Sequence, residues 1–323
     1  MQADGRDIRI IDSDGVTPLS YWIESGINTT TTKIWVNVPL IPVGGKTVYL
    51  VYGNSANTAQ SSTTDTFVRE IANLKGLWKM DEASGNVLDS SGGNYTGVPT
   101  GTTVTAGKYG NGRNLNGTSD FIQVTNNSNY DIGTGDYTVN TWVYRNANAT
   151  TNLRFLSKGA NLVTQKGWTL YGSDTGVNIT IGNGTTRLGT GASYLGPGNW
   201  NFVTMVVKRN DRIYLYINGV LANSADITSF GVQDLSYAGA NAFFGRSSDG
   251  AAPLYWPGKI DHVSIFKSAL TAEEISDMYN NYGYGTTSYT GKMLITKTAT
   301  TQPVATVGSE SSYAAMTVSF GGV

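Results

Sequence analysis

The sequence predicts an all-β protein of two β-sandwich domains, the second carrying one helix at its C-terminal end. Three observations carry that prediction. Apolar and polar residues alternate along most of the chain, the two-residue period of half-buried strands. Gly 40 and Tyr 19 among 323 residues fit a turn-rich β-architecture. One segment, Ala272–Tyr282, has convincing helical periodicity, so helices do not alternate with strands as an α/β fold requires.

Asp7 to Tyr52 reads as about four strands, fewer than the roughly seven strands and ~100 residues of a typical sandwich. Lys33–Val38 (KIWVNV) puts Ile34, Val36 and Val38 on one face and Lys33, Trp35 and Asn37 on the other. Lys46–Tyr52 (KTVYLVY) is a further strand, closed by Gly53-Asn54. Asn54 to Thr66 is small and polar, the composition of a linker, and places a domain boundary between 66 and 67. From Leu74 short strands follow one another. The clearest hairpin joins Asp211–Ile217 to Val220-Leu221-Ala222 through Asn218-Gly219, the pair that supplies both positive-φ positions of a type I′ turn. Trp200–Arg209 before it is apolar enough for an inner sheet. The helix opens on a capping box, Thr271 with Glu274. Its apolar stripe is Ile275, Met278, Tyr279 and Tyr282, and Gly283 stands where a C′ glycine belongs. Two β segments then follow in a Ser/Thr/Gly-rich run, Lys292–Thr298 and Ala314–Phe320. The first 66 residues are short of strands for a sandwich, and residues 284–323 have strands without a sheet. The tail is therefore expected to complete the head sandwich, within the chain or by head-to-tail donation to a neighbouring copy, around a second domain of residues 67–283.

Composition narrows the function. Charged residues are 14% and apolar residues 39%, so Thr, Ser, Asn and Gly cover the surface, as in extracellular and virion β-proteins. A net charge of -1 leaves no overall footprint for nucleic acid or an anionic membrane. There is no cysteine, hence no disulfide or thiolate site. No apolar run of about 18 residues marks a membrane span. Met1–Gly5 have neither the basic region nor the apolar core of a signal peptide, so a leader already removed or exit by another route such as lysis is expected. Asn-x-Ser/Thr sequons begin at Asn28, Asn94, Asn116, Asn126, Asn148, Asn178 and Asn183, and chance accounts for most in a chain so rich in Asn and Thr.

An ordered set of motifs carries a family resemblance. Leu77-Trp78-Lys79-Met80-Asp81-Glu82 precedes Asp89-Ser90-Ser91-Gly92, Asn116–Ile122 (NGTSDFI) enters a strand, and Tyr137–Val143 (YTVNTWV) centres a tryptophan. Gly258–Phe266 (GKIDHVSIF) is followed by Leu270-Thr271 and Glu273-Glu274-Ile275. With these motifs residues 74–283 resemble the laminin-G-like, concanavalin A-like jelly-roll family of surface and virion proteins. Asp4–Arg9 (DGRDIR), Tyr21–Glu24 (YWIE), Ile34–Val36 and Val48–Asn54 (VYLVYGN) are similar to an uncharacterised module that often precedes such domains. That module normally has strands before its DGRDIR element and this chain has none there, so the resemblance implies a permuted arrangement with the first strands moved to the C-terminus. In the resembled family, an Asp like Asp261 often helps hold the two ends of the jelly roll together, sometimes through a metal. Asp81 and Asp120 lie at the opposing motifs. Calcium is the expected cofactor, with Asp81, Asp120 and Asp261 as its candidate ligands. The alternative partners for Asp261, a carboxylate in an apolar strand, are backbone amides or an arginine.

Catalytic constellations are not found. Glu24, Glu70, Glu82, Glu273, Glu274 and Glu310 form no pair within a strand of the kind that places two carboxyls about 5–5.5 Å apart for retaining glycoside hydrolysis. His262 is the only histidine and no Gly-x-Ser-x-Gly elbow accompanies it. Gly133-Thr134-Gly135 and Gly182-Asn183-Gly184 read as turns, because no helix follows either. No catalytic residue is assigned. Sugar binding needs aromatic faces with polar neighbours. Trp78, Trp142, Trp200 and Trp256 fall on core positions, whereas Trp168, Tyr171, Tyr194 and Tyr237 flank Gly-rich loops, with Arg187 and Arg246 as polar partners. The expected function is that of a non-enzymatic structural or adhesive surface protein, a virion or extracellular filament subunit displaying a lectin-like jelly roll. Its expected partners are other copies of itself and cell-surface glycans, with no nucleic acid and no membrane insertion. The alternative is a monomeric carbohydrate-binding protein or module of a secreted enzyme system. A third reading, an Asp-based glycosidase, has no Asp pair alternating within a strand to support it.

Overall fold

The structure is a computed structural model and describes residues 1–146, 152–159, 162–173, 175–192, 195–248, 253–297, 305–310 and 315–320. The head begins with β1 (Arg9–Ile11), β2 (Pro18–Leu19), β3 (Tyr21–Ser25), β4 (Lys33–Val36) and β5 (Lys46–Val51), then α1 (Thr63–Thr66) and β6 (Arg69–Ala72). Next come β7 (Leu74–Trp78), β8 (Gly97–Thr100), β9 (Thr103–Ala106), β10 (Asn111–Asn116), β11 (Phe121–Val124), β12 (Tyr137–Arg145), β13 (Leu153–Lys158) and β14 (Lys166–Ser173). They are followed by β15 (Gly176–Asn183), β16 (Arg187–Ala192), β17 (Trp200–Val207), β18 (Arg212–Ile217), β19 (Val220–Asp226), β20 (Ala242–Phe244) and β21 (Pro257–Phe266). The chain ends with α2 (Ala272–Asn280), β22 (Tyr282–Tyr284), β23 (Lys292–Thr296), β24 (Ala305–Glu310) and β25 (Ala315–Phe320). These elements form two compact units. One holds residues 1–70, 281–284 and the described residues from 294 onward, the other residues 71–280 and 285–293.

In the head unit the C-terminal strands complete the sandwich. Five antiparallel strands run in the order β2-β1-β5-β25-β24. β5 lies between β1, paired from Arg9↔Val51 to Ile11↔Tyr49, and β25, paired from Ala315↔Val51 to Phe320↔Lys46. The backbone edge that β5 would otherwise expose is thus saturated by the chain's own tail. Ile8, Ile10, Leu19, Tyr21 and Val48 form the head core, with Ile34, Val36 and Val38 packed against it. Trp35 takes the opposite face, as alternation requires, and its indole donates to Glu24 at 2.6 Å. The same carboxylate ion-pairs with Lys33 at 2.9 Å, and Lys33 donates to the Tyr284 hydroxyl at 2.7 Å.

Two elements depart from the sequence expectation. The polar stretch from 54 to 66 is strapped to the head: the Ser62 amide donates to Tyr21 O, the Ile23 amide to Ser61 Oγ, and the Arg9 guanidinium to Thr58 O. Small hydroxylated residues were read as a linker, yet here their hydroxyls and carbonyls serve as hydrogen-bond partners. The second departure is α2, which ends at Asn280. Gly283 is not its cap but lies within β22, opposite Ile295 of β23. Pairing with β23 outcompetes two further residues of helix. The start is as expected, with Thr271 and Glu274 exchanging hydrogen bonds at 2.8 and 3.2 Å.

The second unit is the jelly roll. One sheet runs β19-β18-β17-β12-β21-β10-β9, with β7 also on β21; the other runs β16-β15-β14-β13-β20-β11-β8. Side chains between them form one core that includes Trp78, Phe155, Trp168, Ile179, Phe244 and Trp256. Each such side chain contributes about 1.5–3 kcal/mol on burial. Asn218 and Gly219 have φ of 52° and 81°, the two left-handed positions of the predicted turn between β18 and β19. β21 is long enough to pair with β12 on one side and with β10 then β7 on the other. Its register against β12 slips beside His262, whose φ of 47° is a strained conformation for a side-chain-bearing residue.

Candidate ligand-binding site

The outer face of the seven-stranded sheet brings together residues far apart in sequence. Leu170 points into the core, so its neighbour Tyr171 points out. Register then sets a row: Arg154 lies opposite Tyr171, Tyr171 opposite Asn178, and Asn178 opposite Gly191. Strand spacing of ~4.8 Å makes this row about 14 Å long. The Arg154 guanidinium lies 4.4 Å from the Tyr171 ring centroid. Tyr255 bridges by backbone to both Arg154 and Arg246. The Arg246 guanidinium in turn sits 4.5 Å from the Phe121 ring and 4.2 Å from the Phe243 ring. Two arginines are thereby held over aromatic rings within cation–π distance.

Among the described residues no carboxylate forms an ion pair with Arg154, Arg187 or Arg246. Burial lowers the pKa of Arg154, the Tyr171 hydroxyl opposes that shift, and the like charge of Arg187 adds to it. The side chain of Arg154 donates to the Asn152 carbonyl, and Arg246 Nε donates to Ser247 O at 3.0 Å.

A polar cleft of about 580 Å³ opens at the end of the row, where β15 and β16 approach β19. It is lined by Thr175, Gly176, Asn178, Gly191, Ala192, Ala222 and Asn223. Asn223 Nδ2 donates to Gly191 O at 2.6 Å across the two sheet edges. A side chain at Gly191 would meet Asn178 Oδ1 at 2.2 Å, so only glycine leaves that amide room. Amides, a hydroxyl and bare backbone make a surface suited to hydrogen-bonding sugar hydroxyls.

Of the aromatic candidates read from sequence, the structure overturns Trp168. It is fully buried, in the same strand parity as Leu170, and offers no face to a ligand. Tyr171 is on the row, with Arg154 on its ring. Arg187 and Arg246 are on the same sheet face, exposed and half-buried respectively. Tyr194 lies outside the described residues. Tyr237 is elsewhere: its carbonyl accepts from Lys158 Nζ at 2.9 Å, alongside an Asp131 ion pair at 2.8 Å that satisfies this buried ammonium. Arg154, Tyr255, Phe121, Asn178 and Asn223 were not singled out by the sequence, because only the pairing register makes them neighbours.

The three candidate metal ligands do not assemble into one set. Asp261 is fully buried, with Oδ2 accepting from the Lys108 and Tyr109 amides at 2.8 and 3.0 Å and Oδ1 2.9 Å from His262 Nδ1. Asp120 accepts from the Asn116 amide and the Ser119 hydroxyl of its own turn. Asp81 accepts from the Asn111 amide at 3.3 Å. Burial raises its pKa; His262 opposes the shift and Asp261 adds to it. Among the described residues no group of three or more His, Cys, Asp or Glu is placed to hold a metal. The hydrogen-bond partners of Asp261 are the backbone amides that formed the alternative to calcium.

Comparison with known proteins agrees with this architecture. Residues 116–276 match the laminin-G family model described as the concanavalin A-like lectin/glucanases superfamily, and residues 4–91 match Domain of unknown function DUF2341. The chain carries a laminin-G-like domain of the concanavalin A-like superfamily, preceded by that uncharacterised module. A botulinum-like toxin, eBoNT/J, of Enterococcus sp. (strain 3G1_DIV0629) is 27% identical over 119 residues, 36% of this chain and 9% of the toxin. The binding domain of Paraclostridial Mosquitocidal Protein 1 superposes with a TM-score of 0.54 at 18% identity, covering 64% of this chain and 52% of that one. The receptor binding domain of botulinum neurotoxin C/D mosaic serotype gives 0.51 at 20% identity, covering 65% and 52%. At these identities the structural likeness is one of fold, and the chain spans about half the length of each of these domains. Among the described residues no helix is long and apolar enough to cross a membrane.

Proposed function

We propose that this chain is a non-enzymatic, carbohydrate-binding protein of an extracellular, cell or virion surface, and that its laminin-G-like domain makes the contact. The observation that carries this reading is the Asn178–Gly191–Asn223 cleft continuing into the Arg154–Tyr171 row. Hydroxyl-binding amides and oriented guanidinium groups there share one sheet face. Carboxylates that a hydrolase would use have structural hydrogen bonds instead. Glu274 caps a helix, Glu82 accepts from the Leu88 amide, and Asp261 fastens a turn. The likeness to binding domains of toxins supports a recognition role at the level of fold. A glycan array probed with the intact protein tests the proposal. Asn178→Ala with Asn223→Ala is expected to weaken glycan binding by about tenfold or more while the melting profile is kept. Binding that survives the double substitution, or no glycan binding at all, overturns it.

A further inference from the structure

We infer that the outer sheet face takes a glycan bearing carboxylates, a polyuronate or a sialylated chain, with Arg154 and Arg246 as the groups that hold its acidic sugars. The inference rests on the carbohydrate reading and adds the ligand's charge class.

The chain as a whole is nearly neutral, at -1, yet this face gathers Arg154, Arg187 and Arg246 with no carboxylate paired to any of them among the described residues. Elsewhere in the jelly roll, some described cations do have such partners. Lys158 pairs with Asp131 and Lys208 with Asp211. Arg154 and Arg187 are also close enough for like charges to disfavour each other. Concentrated cations without an anionic partner among the described residues are complementary to an anion from outside.

Geometry selects the kind of anion. Arg154 lies over Tyr171, and Arg246 over Phe121 and Phe243, each guanidinium within 4.5 Å of a ring centroid. Arg154 Nη1 and Arg246 Nε donate to the Asn152 and Ser247 carbonyls, and the other N–H groups of each guanidinium match the oxygens of a carboxylate. Because ring contacts and these hydrogen bonds already hold both side chains, less side-chain freedom is lost when the anion arrives. Tyr255, bridged to both arginines, separates the two cationic positions, as a chain with repeated acidic units would require. The neutral cleft at Asn178 and Asn223 then receives hydroxyls of an adjoining sugar. A free phosphate or a sulfate would satisfy the charge without using that cleft. A lipid surface would meet three arginines but, among the described residues, no exposed apolar patch beside them, since Phe243 is buried beneath Arg246.

The test compares ligands that differ only in charge. Titration calorimetry with the full chain uses oligogalacturonate against the same oligomer reduced to its neutral alcohols, and sialyllactose against lactose. The expected result is at least one acidic ligand bound about tenfold or more tightly than its neutral counterpart, with affinity falling as salt rises. Arg154→Gln and Arg246→Gln should each remove most of that difference, so that the acidic ligand binds little better than its neutral counterpart. Arg187→Gln, at an exposed position, gives a further reading if Arg154→Gln does not fold. Equal affinity for acidic and neutral members, with the arginine variants silent and the Asn178/Asn223 variant inactive, overturns this inference and leaves the carbohydrate reading standing. Absence of binding to any glycan overturns both. Arginine-dependent capture by phosphatidylserine vesicles without binding to acidic glycans identifies a lipid headgroup and also overturns the inference.

Discussion

Asp261 shows how a single carboxylate fixes a loop. Its side chain is buried in β21 and accepts from two amides of the Lys108-Tyr109 turn while facing His262 Nδ1. Gly107 permits the approach, since a side chain there would meet Asp261 Oδ2 at 2.7 Å. Removing the acceptor strands buried donors, each costing about 1–3 kcal/mol. Asp261→Ala is therefore expected to lose about 3 kcal/mol in urea unfolding, and Asp261→Asn less, because one acceptor oxygen remains. A loss below about 1 kcal/mol would mean that water replaces the carboxylate. Should chelation with EDTA reproduce the loss in the wild type, a bound cation rather than the amides would be the partner. That Asp261 needs a partner was legible from an ionisable residue in an apolar strand; which partner was not, since Lys108 is far away in sequence. The same limit applies to Arg154, which reads as an ordinary polar position of an alternating strand until register sets it beside Tyr171. Trp168 failed for another reason. Its flanking glycines drew it toward the surface, whereas its shared parity with Leu170 assigns it to the core.

At the scale of elements, local chemistry was legible and long-range pairing was legible only as a deficit. Asn218-Gly219 and the Thr271–Glu274 box each specify their structure within four residues, and both form. The helix end was missed because Gly283 has two uses, cap or strand, and the choice depends on β23 ten residues later. Of the two tail segments expected as strands, Ala314–Phe320 fills the free edge of β5, whereas Lys292–Thr298 pairs with β22 and β6 instead, and β24 was not foreseen. Six backbone pairs join β25 to β5, with β24 outside them. A chain ending after Lys297 is therefore expected to expose the β5 edge and to lose the head's cooperative unfolding or aggregate. The jelly-roll core, whose residues all lie between Trp78 and Ile265, should keep its own transition. Differential scanning calorimetry reads both. A truncated chain with an unaltered profile would show that β24 and β25 contribute nothing to the head.

For the whole molecule, the tail decides the state of assembly. Head-to-tail donation was expected from the strand deficit as one of two outcomes, and it needs an acceptor edge that is open in each subunit. In this structure β25 of the same chain occupies the edge of β5, so an incoming donor would first have to displace six residues of paired strand. Intramolecular closure also has the advantage of effective concentration, because donor and acceptor belong to one chain. The protein is therefore expected to remain a monomer of 34.4 kDa in light scattering from micromolar to near-millimolar concentration. Surface composition fits that expectation, because Thr, Asn, Ser and Gly cover the strands, leaving isolated exposed apolar residues such as Val220 and Leu221. Mass that rises with concentration, together with rings or fibres in negative-stain images, would instead assign the chain to a filament. In that case the truncation after Lys297 should abolish the polymer, because β25 would be the strand exchanged. A polymer that survived the truncation would have to be built through another surface.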